Sequence, residues 1–219
     1  MAFRGFPEEA LEFYEGLEAD NSRTYWTDRK ATYDTAVLGP MRDLVALVAA
    51  EFGELKIFRP YRDVRFSKDK APYKTNIAAA GDTPGGASVY VGLSADGLFS
   101  GSGYYRMAKD QLERYRRAVD DDRTGDDLTA AVKEVEAAGF EVHGSALKTA
   151  PRGFPRDHPR IELLRMTGVY AGRQFPVAKW LHTKACADKV VAAWRGVRPV
   201  TDWLDTRVGP STIPPEGRR

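Results

Sequence analysis

The segment from Arg59 to Lys74, RPYRDVRFSKDKAPYK, concentrates more chemistry than any other stretch of the chain. Six cations (Arg59, Arg62, Arg65, Lys68, Lys70, Lys74) stand against two anions (Asp63, Asp69), a net +4 in a chain whose formal charge is +2. The remainder is therefore net negative, and the positive potential is local. Guanidinium is a planar fork and ammonium a compact point charge, so an arginine-bearing strand feeding a lysine-bearing loop can clamp a phosphate or a carboxylate. Extended backbone over 62–66 would put Arg62, Val64 and Phe66 on one face and Asp63 and Arg65 on the other. In this reading Arg62, Arg65, Lys70 and Lys74 hold the anion, and Asp63, Asp69 or Tyr73 is the candidate catalytic acid–base group. Two bland readings compete with it. One is a solvated charged face, with each pair worth about 0–1 kcal/mol. The other is a buried ion-pair knot tying strand to helix, in a non-catalytic module that docks on an acidic partner or nucleic acid.

A second basic patch runs through 151–165, with Arg152, Arg156, His158, Arg160 and Arg165. Arg152 and His158 join the ligand-binding candidates. Asp157 beside His158 invites a catalytic reading, but sequence neighbours need not face each other. A loop capped by Asp157-His158-Pro159 ahead of a helix at about 160–166 is the structural alternative. His143 and His182 hold no ligand spacing to His158, so no metal site is expected. Cys186 is the only cysteine, which excludes an internal disulfide and any multi-cysteine zinc or iron–sulfur site. On an amphipathic helix it reads as a small buried hydrophobe. Gly101-Ser102-Gly103 opens like a dinucleotide fingerprint but runs into Arg106 on strand-like sequence, and Gly81 to Gly86 lacks the Gly-Lys-Ser/Thr of a phosphate loop. No Gly-x-Ser-x-Gly elbow occurs. The sequence names no cofactor.

These residues need elements to hold them. Ala10, Leu11, Phe13, Tyr14 and Leu17 recur at three- and four-residue spacing behind Pro7-Glu8-Glu9, the signature of a first helix. Asp20-Asn21-Ser22 supplies cap oxygens for a second, carrying Tyr25, Trp26, Tyr33 and Val37 and ending near Gly39-Pro40. A third runs from about Met41 to Phe52 with Leu44, Val45, Leu47 and Val48 inward, and Gly53 stops it. The period then changes. Residues 55–58, 62–66, 76–80, 87–93 and 97–105 read as strands, the last two as an antiparallel hairpin. Helices return at about 107–120 and 126–138, separated by the acidic stretch Asp120 to Gly125. Short strands at 140–143 and 168–175 and helices at about 176–195 and 200–205 complete the chain. Trp26, Trp180, Trp194 and Trp203 fall in helical patterns and read as core.

Helices first, consecutive strands next and helices after give an α+β fold, a mostly antiparallel central sheet flanked by N- and C-terminal helices. We expect a single domain over 1–209 and a frayed tail at 210–219. At 219 residues and 42% hydrophobic content, the chain can bury a core without a disulfide or metal. No apolar run approaches the roughly 18 residues of a membrane span, and no secretory h-region opens the chain. The expectations are therefore a cytoplasmic location, no membrane partner and a small anionic ligand, with nucleic acid ranked behind it.

At RDVRFSKDKAPYK the chain resembles the domain of unknown function 2461 family, conserved hypothetical proteins found chiefly in bacteria. The hallmark Arg-Asp-x-Arg-Phe-Ser-x-Asp-Lys-x-Pro-Tyr-Lys matches at Arg62, Asp63, Arg65, Phe66, Ser67, Asp69, Lys70, Pro72, Tyr73 and Lys74. Gly5-Phe6-Pro7, Asn21, Trp26, Tyr33, Pro151-Arg152-Gly153-Phe154 and Asp157-His158-Pro159 extend the likeness over nearly the whole chain. The resemblance implies that the 62–74 segment is special, and it implies no established activity or cofactor.

Overall fold

The computed structural model describes residues 2–65 and 67–213. The chain is an α+β protein built on a six-stranded antiparallel sheet with strand order β1-β2-β3-β4-β6-β5. It divides into two compact units, one formed by 1–81, 90–100 and 174–192, the other by 82–89, 101–173 and 193–219.

In the first unit, helix α1 (Glu8–Ala19) opens behind Pro7, with Glu8 and Glu9 at the positive end of its dipole. It buries Ala10, Leu11, Phe13, Tyr14 and Leu17, as their spacing requires. Ser22 caps α2 (Arg23–Asp28), its hydroxyl accepting from the Tyr25 N–H at 3.1 Å. The second helix does not end at Gly39-Pro40. Helix α3 (Lys30–Thr32), a π-helical turn (Tyr33–Leu38) and α4 (Gly39–Phe52) follow one another directly, with Pro40 in the first turn of α4. Helix α4 buries Met41, Leu44, Val48 and Phe52, whereas Leu47 is exposed, a correction to its expected inward place. Gly53 stops it at φ +80°, a conformation favourable for glycine alone.

Strands β1 (Lys56–Ile57) and β2 (Asn76–Asp82) pair with Lys56 opposite Ala80. Strands β3 (Ser88–Ser94) and β4 (Gly97–Tyr104) are the expected hairpin, adjacent in the sheet. Residues 62–65 do not form the expected strand. Only an isolated bridge, Tyr61 to Tyr73, stands there, and Phe66 lies outside the described residues. The physical reason is Pro60 and Pro72, which have no N–H to donate to a ladder. The expected helix at 176–195 is a 3₁₀ turn (Lys179–His182) followed by α8 (Ala185–Gly196). The buried Ser100 hydroxyl of β4 donates to the Val190 carbonyl of α8 at 3.2 Å.

The second unit packs α5 (Lys109–Asp120), α6 (Asp122–Ala137), β5 (Glu141–His143), α7 (Ile161–Arg165), β6 (Val169–Phe175, up to Arg173) and α9 (Arg198–Arg207). Its core joins Tyr104, Tyr115, Leu128, Val135, Leu164 and Leu204. The acidic stretch is less of a separator than expected. Asp121 alone breaks the helix, its carboxylate accepting from Thr124 N at 2.9 Å, and α6 begins at Asp122. Residues 210–212 are bonded to α5: Arg114 donates to the Pro210 carbonyl at 2.8 Å and Thr212 N to Asp110 at 2.8 Å. The tail beyond Ile213 lies outside the described residues. Trp26, Trp194 and Trp203 are core residues, and Trp180 is half-buried.

Candidate functional site

The basic segment is a loop closed at its base by two antiparallel bonds. Lys74 N donates to the Pro60 carbonyl at 2.8 Å and Arg62 N to the Pro72 carbonyl at 2.9 Å, on either side of the Tyr61–Tyr73 bridge. Each proline takes part only as an acceptor, the one role its backbone permits. Tyr73 is buried, its ring stacked on Trp26 with centroids 4.3 Å apart and planes 8° from parallel. The Tyr61 ring leans on both, 5.5 Å from Tyr73 and 5.9 Å from Trp26. Asn21 clasps the Tyr73 peptide from both sides: its Nδ2 donates to the carbonyl at 3.1 Å and its Oδ1 accepts from the N–H at 3.0 Å. Sequence reading treats Asn21 as a helix cap. Ser22 does the capping, and the amide of Asn21 pins the loop instead.

Within the loop, Arg65 forms a fork with Asp63, Nε to Oδ1 at 3.0 Å and Nη2 to Oδ2 at 2.7 Å. These bonds pull the Asp63 carboxyl down to about 2. Arg62 pairs with Asp69, which also accepts from Ala71 N at 2.9 Å. The Ala71 amide first, and Arg62 second, lower the Asp69 pKa. Lys70 Nζ donates to the Val64 carbonyl at 3.0 Å. The pairs are at the surface, the side chains of Arg65 and Asp63 being 75% and 46% exposed. The desolvation cost that a buried ion-pair knot assigns to a stranded Asp63 therefore does not arise. Arg59, Lys68 and Lys70 are exposed as well.

Lys74 is different. It is half-buried, with Nζ 5.4 Å from the centre of the Phe58 ring. Burial, and then the Arg59 charge, lower its pKa. The Tyr73 hydroxyl is raised, by burial first and Tyr61 second. At neutral pH these shifts leave Asp63 and Asp69 as weakly basic carboxylates and Tyr73 as a neutral hydroxyl.

The second patch lies in the other unit and is organised around a residue that sequence reading passes over. Arg160 is 8% exposed, and its guanidinium is fully engaged. Nε donates to the Val119 carbonyl at 2.7 Å, Nη2 to the Asp120 carbonyl at 2.9 Å and to Asp122 at 2.8 Å, and Nη1 to Asp126 at 2.8 Å. It caps the last carbonyls of α5 and draws the first turn of α6 onto them. His158 serves the same joint: Nδ1 accepts from Arg160 N at 3.0 Å, and Nε2 lies 3.3 Å from Asp120. Arg152 is exposed on the turn at 151–154. The signal for Arg160 was present, since the acidic stretch from Asp120 to Asp126 needs counter-charge, but which arginine supplies it depends on a pairing some forty residues away.

Cys186 is fully buried, and burial pushes its thiol up to about 12. Among the described residues, no group of three or more His, Cys, Asp or Glu side chains is placed to hold a metal ion, and no helix is long and apolar enough to cross a membrane.

A family model described as conserved hypothetical protein (DUF2461) matches residues 9–203. No curated protein matches the chain. The matched span takes in Asn21, Trp26, the whole 59–74 loop, His158 and Arg160, so the pinned loop and the α5–α6 joint both fall within it. The chain belongs to the DUF2461 family of conserved hypothetical proteins.

Proposed function

We propose that the protein binds an anion, a phosphate or a carboxylate, on the 59–74 loop. The observation that carries this reading is a loop of net +4 whose base is pinned and buried while most of its cations face solvent. Asn21, Trp26 and the two base bonds fix the backbone before any ligand arrives, so little ordering entropy remains to be lost on binding. Asp63 and Asp69 orient Arg65 and Arg62. Lys70 and Lys74 add point charges that an oxyanion can share. The depressed carboxyl groups and the neutral Tyr73 favour capture over proton transfer, so these three residues are read as positioning groups in a binding site. Arg152 and His158 stay outside this reading, because His158 is committed to the α5–α6 joint.

Calorimetric titration with inorganic phosphate and with acetate at fixed ionic strength tests it. Binding is expected for the wild type, together with a rise in Tm, and a ligand at a hundred times its Kd adds about 2.7 kcal/mol of stability. A Lys70→Gln, Lys74→Gln double variant with unchanged Tm should lose the binding. Absence of heat and of any Tm shift with either anion would refute the reading.

A further inference from the structure

We infer that the second unit carries a binding site for a small soluble quaternary ammonium compound, formed by the rings of Tyr105, Tyr170 and His143 and the carboxylate of Glu141. It uses none of the 59–74 loop, takes a ligand of the opposite charge, and does not depend on the anion reading.

Strand alternation puts the four side chains on one face. Val169 and Ala171 of β6 are buried in the core of this unit, so Tyr170 between them points the other way. Val142 of β5 packs against the same core. Register sets Val142 opposite Ala171 and His143 opposite Tyr170, so Glu141 and His143 join Tyr170 on the far face. Tyr104 ends β4 in the core, and Tyr105 follows it on the far side, 74% exposed. Strand β6 lies between β4 and β5, so the rings come in the order Tyr105, Tyr170, His143, with successive centroids 5.7 and 5.3 Å apart. Two glycines let the strands approach closely enough for the tyrosines to meet. A Cβ at Gly168 would stand 2.2 Å from the Tyr105 carbonyl oxygen, and one at Gly103 2.5 Å from Tyr170 Cα.

A tyrosine ring is negative on its face and attracts a cation that comes within about 6 Å of its centroid. With these spacings one cation can meet that condition for Tyr170 and a neighbouring ring together. The neighbours are tilted from Tyr170 by 44° and 32°, so the ring faces are not used up in stacking on one another. Elsewhere the protein supplies such a cation itself: Lys30 stands over Tyr33, Lys74 over Phe58 and Lys189 over Trp180. Among the described residues no such contact joins a Lys or Arg to Tyr105 or Tyr170. An anion is there instead: the Glu141 side chain is 76% exposed, with Oε2 3.3 Å from His143 Nε2. A neutral imidazole donates its N–H to that carboxylate, which keeps its charge and is held at the end of the row. Aromatic faces beside a carboxylate suit a cation clothed in alkyl groups, whereas a primary ammonium brings three N–H donors that ring faces serve poorly. Three rings and one carboxylate provide for a single head group, which points to a small soluble ligand.

The test is an NMR titration of the full chain at fixed ionic strength, read at the Tyr105 and Tyr170 amides. The probes are choline, 3,3-dimethylbutan-1-ol (its uncharged isostere), ethanolamine (the charge without the methyl groups) and phosphatidylcholine vesicles. Choline is expected to bind about 2- to 30-fold tighter than the isostere, the range that a cation–π contact spans, and tighter than ethanolamine. Tyr105→Leu should weaken choline about 2- to 5-fold and Tyr105→Phe should keep it. Glu141→Gln should also weaken it, while Glu113→Gln, at an exposed carboxylate paired with Arg117 on α5, should leave it unchanged. Tyr105, Glu141 and Glu113 are exposed, so the variants put little of the fold at stake. Equal affinity for choline and its isostere overturns the cation site, and equal affinity for choline and ethanolamine overturns the role of the rings. An equal loss in Glu113→Gln and Glu141→Gln would mean diffuse surface charge and refute the assignment of Glu141. Binding confined to vesicles overturns the soluble ligand. No saturable shift with choline brings down the whole inference and leaves the anion reading untouched.

Discussion

Replacing Arg160 with Met is the sharpest test of how the second unit is held. The side chain is 8% exposed and donates to the carbonyls of Val119 and Asp120, the last two of α5, which have no acceptor role left within their own helix. Charge-assisted bonds of this kind contribute about 1.5–3 kcal/mol each. Its other two partners, Asp122 and Asp126, are 95% and 73% exposed and return to water when the arginine goes, so each contributes only about 0–1 kcal/mol. Arg160→Met should therefore destabilise the protein by about 3–6 kcal/mol, a fall in Tm of about 6–24 °C for a chain of this size. Arg160→Lys should recover less than half, because one ammonium cannot reach carbonyl and carboxylate acceptors spread around a planar fork. Asp122→Asn and Asp126→Asn should each change Tm by no more than about 4 °C. Gly125→Ala belongs to the same joint: its added Cβ would fall 2.2 Å from the Val119 carbonyl and 2.4 Å from Arg160 Nε, so it should be nearly as damaging as losing the arginine. Differential scanning calorimetry gives all five values. An Arg160→Met protein melting within about 2 °C of wild type would refute the reasoning, and so would an Asp122→Asn loss as large as that of Arg160→Met.

Three further outcomes follow from the loop and the core. The Asp63 carboxyl, followed by carbon-13 NMR, should titrate near 2, and in Arg65→Gln it should return toward the ordinary carboxylate range. Because its folded pKa is depressed, whatever the pair adds to stability is present above that range and is lost as pH falls toward 2. Asn21→Ala removes both bonds to the Tyr73 peptide and should cost about 1–3 kcal/mol. Trypsin should then cut at Arg62, Arg65, Lys68 or Lys70 faster than in wild type, and an unchanged rate would mean that the loop is not held from there. The buried Cys186 thiol, held up at about 12, should react with a thiol reagent only at the rate of unfolding.

Periodicity carried most of the helices and both long strands of the hairpin, because a 3.6-residue repeat and a two-residue alternation are local properties of the chain. It failed where the deciding contact is distant. The alternation in RDVRF looks like a strand, but a strand needs a partner that can trade bonds along its length. Among the described residues from Pro60 to Tyr73 the ladder pairing is confined to the loop base. The six cations and two aspartates of the loop were readable from composition, and so was their placement on one segment. The partner each one takes was not, because the pairing of Arg62 with Asp69 and the bond from Lys70 to the Val64 carbonyl depend on how the loop turns between its two base bonds. Asn21 and Tyr73 are 52 residues apart, and nothing within either neighbourhood announces the other. Arg160 sat among five basic residues of similar appearance, and only burial sets it apart.

The π turn in the N-terminal helical run also bears on how this family can vary. Phe52, the last residue of the buried stripe, stands nineteen positions after Tyr33, one more than the roughly 18 that five α turns take up. The wide turn absorbs the surplus, with Gly39 N reaching back five residues to the Asp34 carbonyl. Pro40 comes next, a residue that in an unbroken α-helix would collide with the carbonyl four before it. The surplus residue and the proline are thus linked characters. Deleting one residue from 33–38 would leave the stripe in phase but drive Pro40 into the tightened turn, whereas the same deletion with Pro40→Ala would be accommodated. Relatives lacking that extra residue should lack a proline at the corresponding place, and length variation in this helix should appear as a coordinated pair of changes.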